Sequence, residues 1–250
     1  MDFSLIIPAY NEEAYIGATL ESVKRAARHA FSGKPAIEMI VVDNASTDGT
    51  AAVAASYATK LVPESQRNVA RARNAGASAA TADVLVFLDA DTLVPESFFS
   101  CIAEIMRDAR CLGGSADINH RPKRRWVHGY LALWRSFGRI AGMAQGAAQF
   151  SRRDAFASVG GYDERLFMGE DVDFYWRLRN FAKRGGELRA VHLRVAGQPV
   201  AAAFRSVARM ADPRVDKSVV YLVVPTPKVS MGRMVRPARA VRRCIFGRAA

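Results

Sequence analysis

Val84-Leu-Val-Phe-Leu-Asp-Ala-Asp91 is a run of five apolar residues that closes on two acidic side chains. A segment this short, apolar at odd and even positions alike, predicts a strand buried on both faces, as in parallel sheets. Asp89 and Asp91 then leave the strand at its C-terminal end. Two carboxylates one residue apart can hold a hard divalent cation, Mg²⁺ or Mn²⁺, and leave its remaining positions to diphosphate oxygens. A bare D-x-D reads more readily as a solvated acidic turn. Its place directly after a buried strand favours the metal.

The same rhythm extends to both sides. Phe3-Ser-Leu-Ile-Ile-Pro8 and Ile37 to Val42 predict two more buried strands, and Lys60-Leu-Val62 a short one. Between them lie helix patterns: Asn11 to about Phe31, with Asn11 as N-cap and Glu12 and Glu13 in the first turn, then Thr50 to Tyr57, then Asn68 to about Ala80. After the acidic pair, Pro95 suits a first helical turn, with the helix running to about Arg107. Strand alternating with helix predicts a single α/β domain with a doubly wound, mostly parallel sheet flanked by helices. Ligands in such sheets bind beyond the C-terminal strand ends. Three polar stretches fall there: Tyr10–Glu13, Asp43–Asp48 and Asp89–Asp91. No G-x-G-x-x-G or Walker A loop occurs, which removes the main support for dinucleotide and P-loop readings.

Composition narrows the class. The chain has 250 residues, half of them hydrophobic, enough for one domain with a sizeable core. No apolar run approaches the roughly 20 residues that span a bilayer, and the N-terminus has no basic region of the signal-peptide kind. Three scattered cysteines, Cys101, Cys111 and Cys244, fit a reducing compartment, so a cytoplasmic location is expected. Residues 1–185 hold 23 Lys/Arg against 21 Asp/Glu, whereas residues 186–250 hold 13 against 3. The body is thus nearly neutral, and nucleic-acid binding by it is not indicated.

Further acidic residues are candidates for chemistry. Asp43, following Ile40-Val-Val42, could accept hydrogen bonds from a base or ribose, or could simply form an Asx turn. Ser46-Thr47-Asp48 read as turn and cap residues. Gly160-Gly-Tyr-Asp-Glu164 and Gly169-Glu-Asp-Val-Asp173 lead into a helix through Phe174, Trp176, Leu178 and Phe181. Glu170 and Asp171 sit at its start, where the helix dipole is expected to lower a carboxylate pKa. An ionised carboxylate beside a bound hydroxyl is what a general base requires, although simple charge complementarity to the helix end is an equal reading. Arg71 and Arg73, on the helix after Asn68, could reach a diphosphate or lie on a solvated face. The stretch Arg121 to Met143 is basic, then aromatic at Trp126, Tyr130, Trp134 and Phe137. It reads as a helix packed on the sheet, with an interfacial or acceptor-binding helix for a lipid-linked substrate as the alternative.

With these residues in view, the chain resembles the family 2 glycosyltransferases of GT-A fold. The matching pieces are Ser4-Leu-Ile-Ile-Pro-Ala-Tyr-Asn-Glu-Glu13, Val41-Val-Asp-Asn-Ala-Ser-Thr-Asp-Gly-Thr50, Ala72-Arg-Asn-Ala-Gly76, Phe87-Leu-Asp-Ala-Asp-Thr92, and Gly160-Gly-Tyr-Asp-Glu164 with Gly169-Glu-Asp171. They follow the family's order over about the first 185 residues. The resemblance implies that Pro8, Ala9, Tyr10 and Glu12 line a nucleobase pocket with Asp43. It implies that Asp89 contacts the nucleotide, Asp91 binds Mn²⁺ or Mg²⁺ on the diphosphate, and Asp171 is the base with Glu170 beside it. The donor would be a UDP- or GDP-sugar and the acceptor a saccharide or lipid-linked hydroxyl, with inversion at the anomeric centre. Asn44 departs from the second Asp that many members carry. A nucleotidyltransferase would need a Gly- and Lys/Arg-rich loop after the first strand, which Pro8–Glu13 is not. An inactive nucleotide-binding relative is the non-enzymatic alternative.

The resemblance stops where the charge changes. Residues 186–250 are strongly basic, and Pro199, Pro213, Pro225, Pro227 and Pro237 interrupt their periodicity. One reading is a basic tail that contacts anionic membrane, placing the protein at the inner face, or that is disordered. The other is translation out of frame from about Glu187. Met is always ATG and Ala, Gly and Val codons begin with G, so Met210-Ala211, Met231-Gly232 and Met234-Val235 must each yield TGG, tryptophan, one base later. On that reading His192 is not carried over as the metal-binding His of some relatives. Coding DNA with a stop codon soon after residue 187 in the shifted frame would reject it.

Overall fold

The computed structural model describes residues 2–31, 37–58, 60–116, 118–120, 147–166, 168–185, 189–193 and 200–202. Its first half is the expected alternation: β1 (Phe3–Ala9), α1 (Glu13–Phe31), β2 (Ile37–Asp43), α2 (Thr50–Ala55), β3 (Lys60–Pro63), α3 (Val69–Ala79), β4 (Val84–Leu88). There follow β5 (Thr92–Leu93), α4 (Phe98–Met106), β6 (Cys111–Ala116), β7 (Ile118–His120), β8 (Ala148–Arg152), α5 (Arg153–Ser158), α6 (Glu170–Arg184), β9 (Arg189–Leu193) and β10 (Val200–Ala202).

The main sheet has seven strands in the order β3-β2-β1-β4-β8-β6-β9. β3, β2, β1 and β4 run parallel, and β8 lies antiparallel between β4 and β6. β5, β10 and β7 form a small second sheet. One hydrophobic cluster joins α1 and α4 to one face of the main sheet through Ile16, Leu20, Ile102 and Ile105. A second joins α3 and α6 to the other through Ala70, Ala72, Phe174 and Leu178. α3 approaches so closely that a Cβ at Gly76 would run into the side chain of Ile6, so only glycine fits there. β6, β8 and β9 were not legible in the sequence; Cys111-Leu-Gly-Gly-Ser-Ala116 and Ala148-Gln-Phe-Ser-Arg152 lack the branched apolar run that marks β1 and β4.

Two helix starts differ from expectation. Asn11 does not cap α1. It has a left-handed φ of 52°, and its side chain instead accepts from the Thr47 N–H at 2.8 Å and donates to Thr47 Oγ1 at 3.2 Å. The start of α1 is capped from the loop after β2, where Asp48 Oδ2 accepts from the Glu13 N–H at 3.4 Å, and Glu13 Oε2 in return accepts from the Gly49 N–H just before α2 at 2.9 Å. Pro95 lies before α4, in a turn closed by the Phe98 N–H on the Pro95 carbonyl at 3.0 Å.

β9 continues the main sheet past residue 185, pairing in parallel with β6, with His192 opposite Ser115. The side chain of His192, the stretch Arg121 to Met143 and residues 203–250 lie outside the described residues.

Candidate active site

β2, β1 and β4 are parallel neighbours, with Ala9 opposite Asp43 and Ile6 opposite Phe87, so their C-terminal ends share one edge of the sheet. The expected polar stretches meet there. The loops after β1 and β2 both bend through left-handed residues, Asn11 and Ala45 (φ 61°). Strained backbone of this kind persists only where surroundings hold it. Here the Asn11–Thr47 pair is joined by the Asn11 N–H donating to Ser46 Oγ at 3.1 Å. Asp43 uses one oxygen locally, accepting from the Ser46 N–H at 3.2 Å, and is part-buried. Asp48 accepts from the Thr50 N–H at 3.0 Å and contacts Thr50 Oγ1. Ser46 and Thr47 thus brace Asn11 across the two loops, and of the three only Asp48 bonds the N–H groups at helix starts. Thr50 Oγ1 also accepts from the Glu12 N–H at 2.8 Å. Tyr10, at the end of β1, carries the Arg67 guanidinium over its ring at 3.9 Å, a residue that sequence reasoning did not select.

Asn44 has a structural reason to be an amide. It is buried, and its Nδ2 donates to the carbonyls of Gln66 at 2.6 Å and Glu64 at 3.2 Å while its Oδ1 accepts from the Asn68 N–H at 2.9 Å. A carboxylate could make only the last of these. Asn44→Asp is expected to lower the free energy of unfolding by about 1–3 kcal/mol, the usual cost of leaving buried polar groups without partners, measured by urea denaturation.

The two arginines of α3 diverge. Positions 71 and 73 lie about 200° apart around a helix, so one faces in and the other out. Arg71 pairs with Glu164 Oε2 at 2.9 Å and Glu64 Oε2 at 3.6 Å. Arg73 is buried, with only 3% of its surface exposed. It lies on the inward stripe with Ala70, Gly76 and Ala77, a periodicity that could have identified it. Its guanidinium donates to Asp89 Oδ1 at 2.9 Å and to Glu170 Oε1 at 2.7 Å. One cation therefore ties the acidic pair after β4 to the first turn of α6. Burial alone would disfavour its charge, and Asp89 and Glu170 hold it protonated. Lys cannot reproduce this forked geometry. Arg73→Lys is expected to reduce unfolding free energy by about 1–2 kcal/mol, readable in the same denaturation experiment.

Asp171 follows Glu170 at the start of α6. The dipole was expected to keep its pKa low, but burial pushes it up to about 6. The neighbouring Glu170 adds to the rise, while Arg73 and the Val172 N–H oppose it. Desolvation of a carboxylate thus outweighs the helix terminus. A base with a pKa near neutrality is better matched to proton transfer than a fully acidic one. Gln149 of β8 fixes the backbone here, its Nε2 donating to the Asp171 carbonyl at 2.9 Å while its Oε1 accepts from Tyr162 OH at 2.8 Å. Tyr162 belongs to the Gly160–Glu164 turn, which docks on Asn74 of α3 through both its N–H and its carbonyl at 2.9 Å. Gly161 (φ 65°) lets the turn come this close, since a Cβ there would sit 2.8 Å from Asn74 Oδ1.

Among the described residues no group of three His, Cys, Asp or Glu gathers to hold a metal. Asp89 and Asp91 are the carboxylates of the loop that leaves β4. One or two carboxylates completed by substrate phosphates and water is how Mg²⁺ is commonly held, so the donor set fits a cation brought to the site with a diphosphate.

Residues 4–160 match the model of glycosyl transferase family 2. The chain is 27% identical over 191 residues to the glycosyltransferase AglE of Haloferax volcanii, covering 70% of this chain and 60% of that protein. It is 25% identical over 203 residues to the minor teichoic acid biosynthesis protein GgaA of Bacillus subtilis, covering 74% and 44%. The chain thus spans three fifths or less of these relatives' length. In fold it matches TarS of Staphylococcus aureus solved with UDP-GlcNAc, with a TM-score of 0.64, 18% identity and coverage of 86% of this chain and 62% of the other. It also matches the mannosyltransferase PcManGT of Pyrobaculum calidifontis solved with GDP-Man and Mn²⁺, with a TM-score of 0.61, 22% identity and coverage of 80% and 56%.

Proposed function

The chain belongs to glycosyl transferase family 2, and from that premise we propose that it transfers a sugar from a nucleoside-diphosphate sugar to an acceptor hydroxyl, with inversion and with the help of a divalent metal. The observation that carries this reading is Arg73, which holds Asp89 at 2.9 Å and Glu170 at 2.7 Å and so couples a metal–diphosphate locus to the helix bearing a base. Pro8, Ala9, Tyr10, Glu12 and Asp43 receive the nucleoside. Asp89 and Asp91 hold Mn²⁺ or Mg²⁺ on the diphosphate. When bound, that cation neutralises charge growing on the departing phosphate. Of the two α3 arginines, Arg73 lies beside Asp89, and Arg71 secures Glu164.

The acceptor oxygen attacks C1 of the donor sugar and its proton passes to the Asp171 carboxylate. The C1–O bond to the diphosphate breaks, and the nucleoside diphosphate leaves with that electron pair. Alignment of the two reactants, with Glu170 and Gln149 fixing the base, supplies much of the rate. The catalytic unit is residues 1–185 extended by β9 and β10, which pair into its two sheets, and the rest of residues 186–250 is a basic tail. The acceptor is a saccharide or lipid-linked hydroxyl. Among the described residues no helix is long and apolar enough to cross a membrane. A donor screen that follows nucleoside diphosphate release tests the reading. One donor sugar should be turned over in the presence of Mn²⁺, and release of pyrophosphate instead would indicate a nucleotidyltransferase.

A further inference from the structure

The middle of α1 carries two hydroxyls on its inward face. Thr19 and Ser22 are 1% and 2% exposed, among the apolar residues Ile16, Leu20 and Val23. Apolar side chains would pack at least as well there, so their polarity calls for partners. Those partners lie far away in sequence, in the loop after β4. Thr19 Oγ1 donates to the Ala90 carbonyl at 2.8 Å. Ser22 Oγ donates to the Thr19 carbonyl at 2.7 Å and accepts from the Val94 N–H at 3.2 Å. Ala90 is the central residue of Asp89-Ala-Asp91, and Val94 lies three residues past Asp91. The loop is closed across itself by the Thr92 N–H on the Asp89 carbonyl at 3.1 Å. α1 therefore grips the main chain on both sides of Asp91, while Arg73 grips the Asp89 side chain from the opposite face of the sheet.

We propose that Thr19 and Ser22 are positioning residues for the metal–diphosphate locus, setting the aim of Asp91 through the backbone of Ala90 and Val94. This rests on the metal reading above. A fold-stabilising role alone would only require that both polar side chains find partners. A positioning role requires that metal affinity follow the hydroxyl rather than the packing.

Two substitutions separate these roles. Thr19→Val keeps the branched shape and removes the donor; Thr19→Ser keeps the donor and removes a methyl. Mn²⁺ binding is measured by electron paramagnetic resonance in the presence of UDP, and again of GDP, alongside thermal melts. Thr19→Val is expected to weaken Mn²⁺ binding by about tenfold or more, the scale on which outer groups orient metal ligands. Thr19→Ser is expected to retain parental affinity even where it melts lower. The apparent KM for Mn²⁺ should rise in Thr19→Val, with kcat at saturating metal little changed. Ser22→Ala, which removes the Val94 contact and the local bond to the Thr19 carbonyl while leaving the Thr19–Ala90 bond in place, gives a second reading in the same direction. Parental Mn²⁺ affinity in folded Thr19→Val and Ser22→Ala overturns the inference and leaves the metal reading standing. A parent chain that binds no Mn²⁺ with either nucleotide overturns both.

Discussion

Asp171→Asn is expected to bind nucleoside diphosphate as tightly as the parent while losing roughly two or more decades of transfer rate, the usual scale of general base catalysis. The amide is nearly isosteric and leaves the Asp171 carbonyl free to accept from Gln149 as before. What it removes is the acceptor of the proton. The pH profile sharpens the test. Because burial and Glu170 push the Asp171 carboxyl up to about 6, the parent should hold an inactive, protonated base below that pH. Its kcat/KM should climb as pH rises through about 6, not through the usual carboxylate range near 4. Equal losses of binding and rate in Asp171→Asn would make this residue a support for the first turn of α6 and not a base.

Asp91→Ala is expected to abolish metal-dependent transfer. Asp91 supplies one of the two carboxylates of the Asp89-Ala-Asp91 turn, so its removal takes away a metal ligand and half of the negative charge that would hold the cation. Without it the diphosphate would face Asp89 with too little positive charge to neutralise it. The measurement is turnover across a Mn²⁺ titration. Parental turnover in this variant would remove the metal assignment, and with it the meaning given to the Asp89-Ala-Asp91 turn.

The parallel half of the fold was legible because its strands are written in apolar residues, as in Ile40-Val-Val42 and Val84-Leu-Val-Phe-Leu88. The antiparallel half was not. β6 and β8 place Gly113, Gly114 and Gln149 in buried strands, where tertiary pairing overrides weak local preference. The carboxylates at strand and helix ends stood out in the sequence because acidic residues after an apolar run are conspicuous. The links between them did not. Arg73 joins Asp89 and Glu170, 16 and 97 residues away, and nothing local announces such partners. The same is true of Thr19 and Ser22, which read as ordinary small helix residues until Ala90 and Val94 are set against them. The Asp171 pKa was misjudged for a related reason. The helix dipole can be read from sequence, but the burial that outweighs it comes from the tertiary fold, which brings Gln149 of β8 to the Asp171 carbonyl and Arg73 of α3 to Glu170.

Calorimetric titration of the purified chain with UDP and with GDP, each with and without Mn²⁺, bears most directly on a metal-dependent nucleotide-sugar site. One of the two nucleotides is expected to bind with a heat that grows when Mn²⁺ is present and falls back to the metal-free level on chelation. Absence of binding by both nucleotides at saturating Mn²⁺ would contradict it.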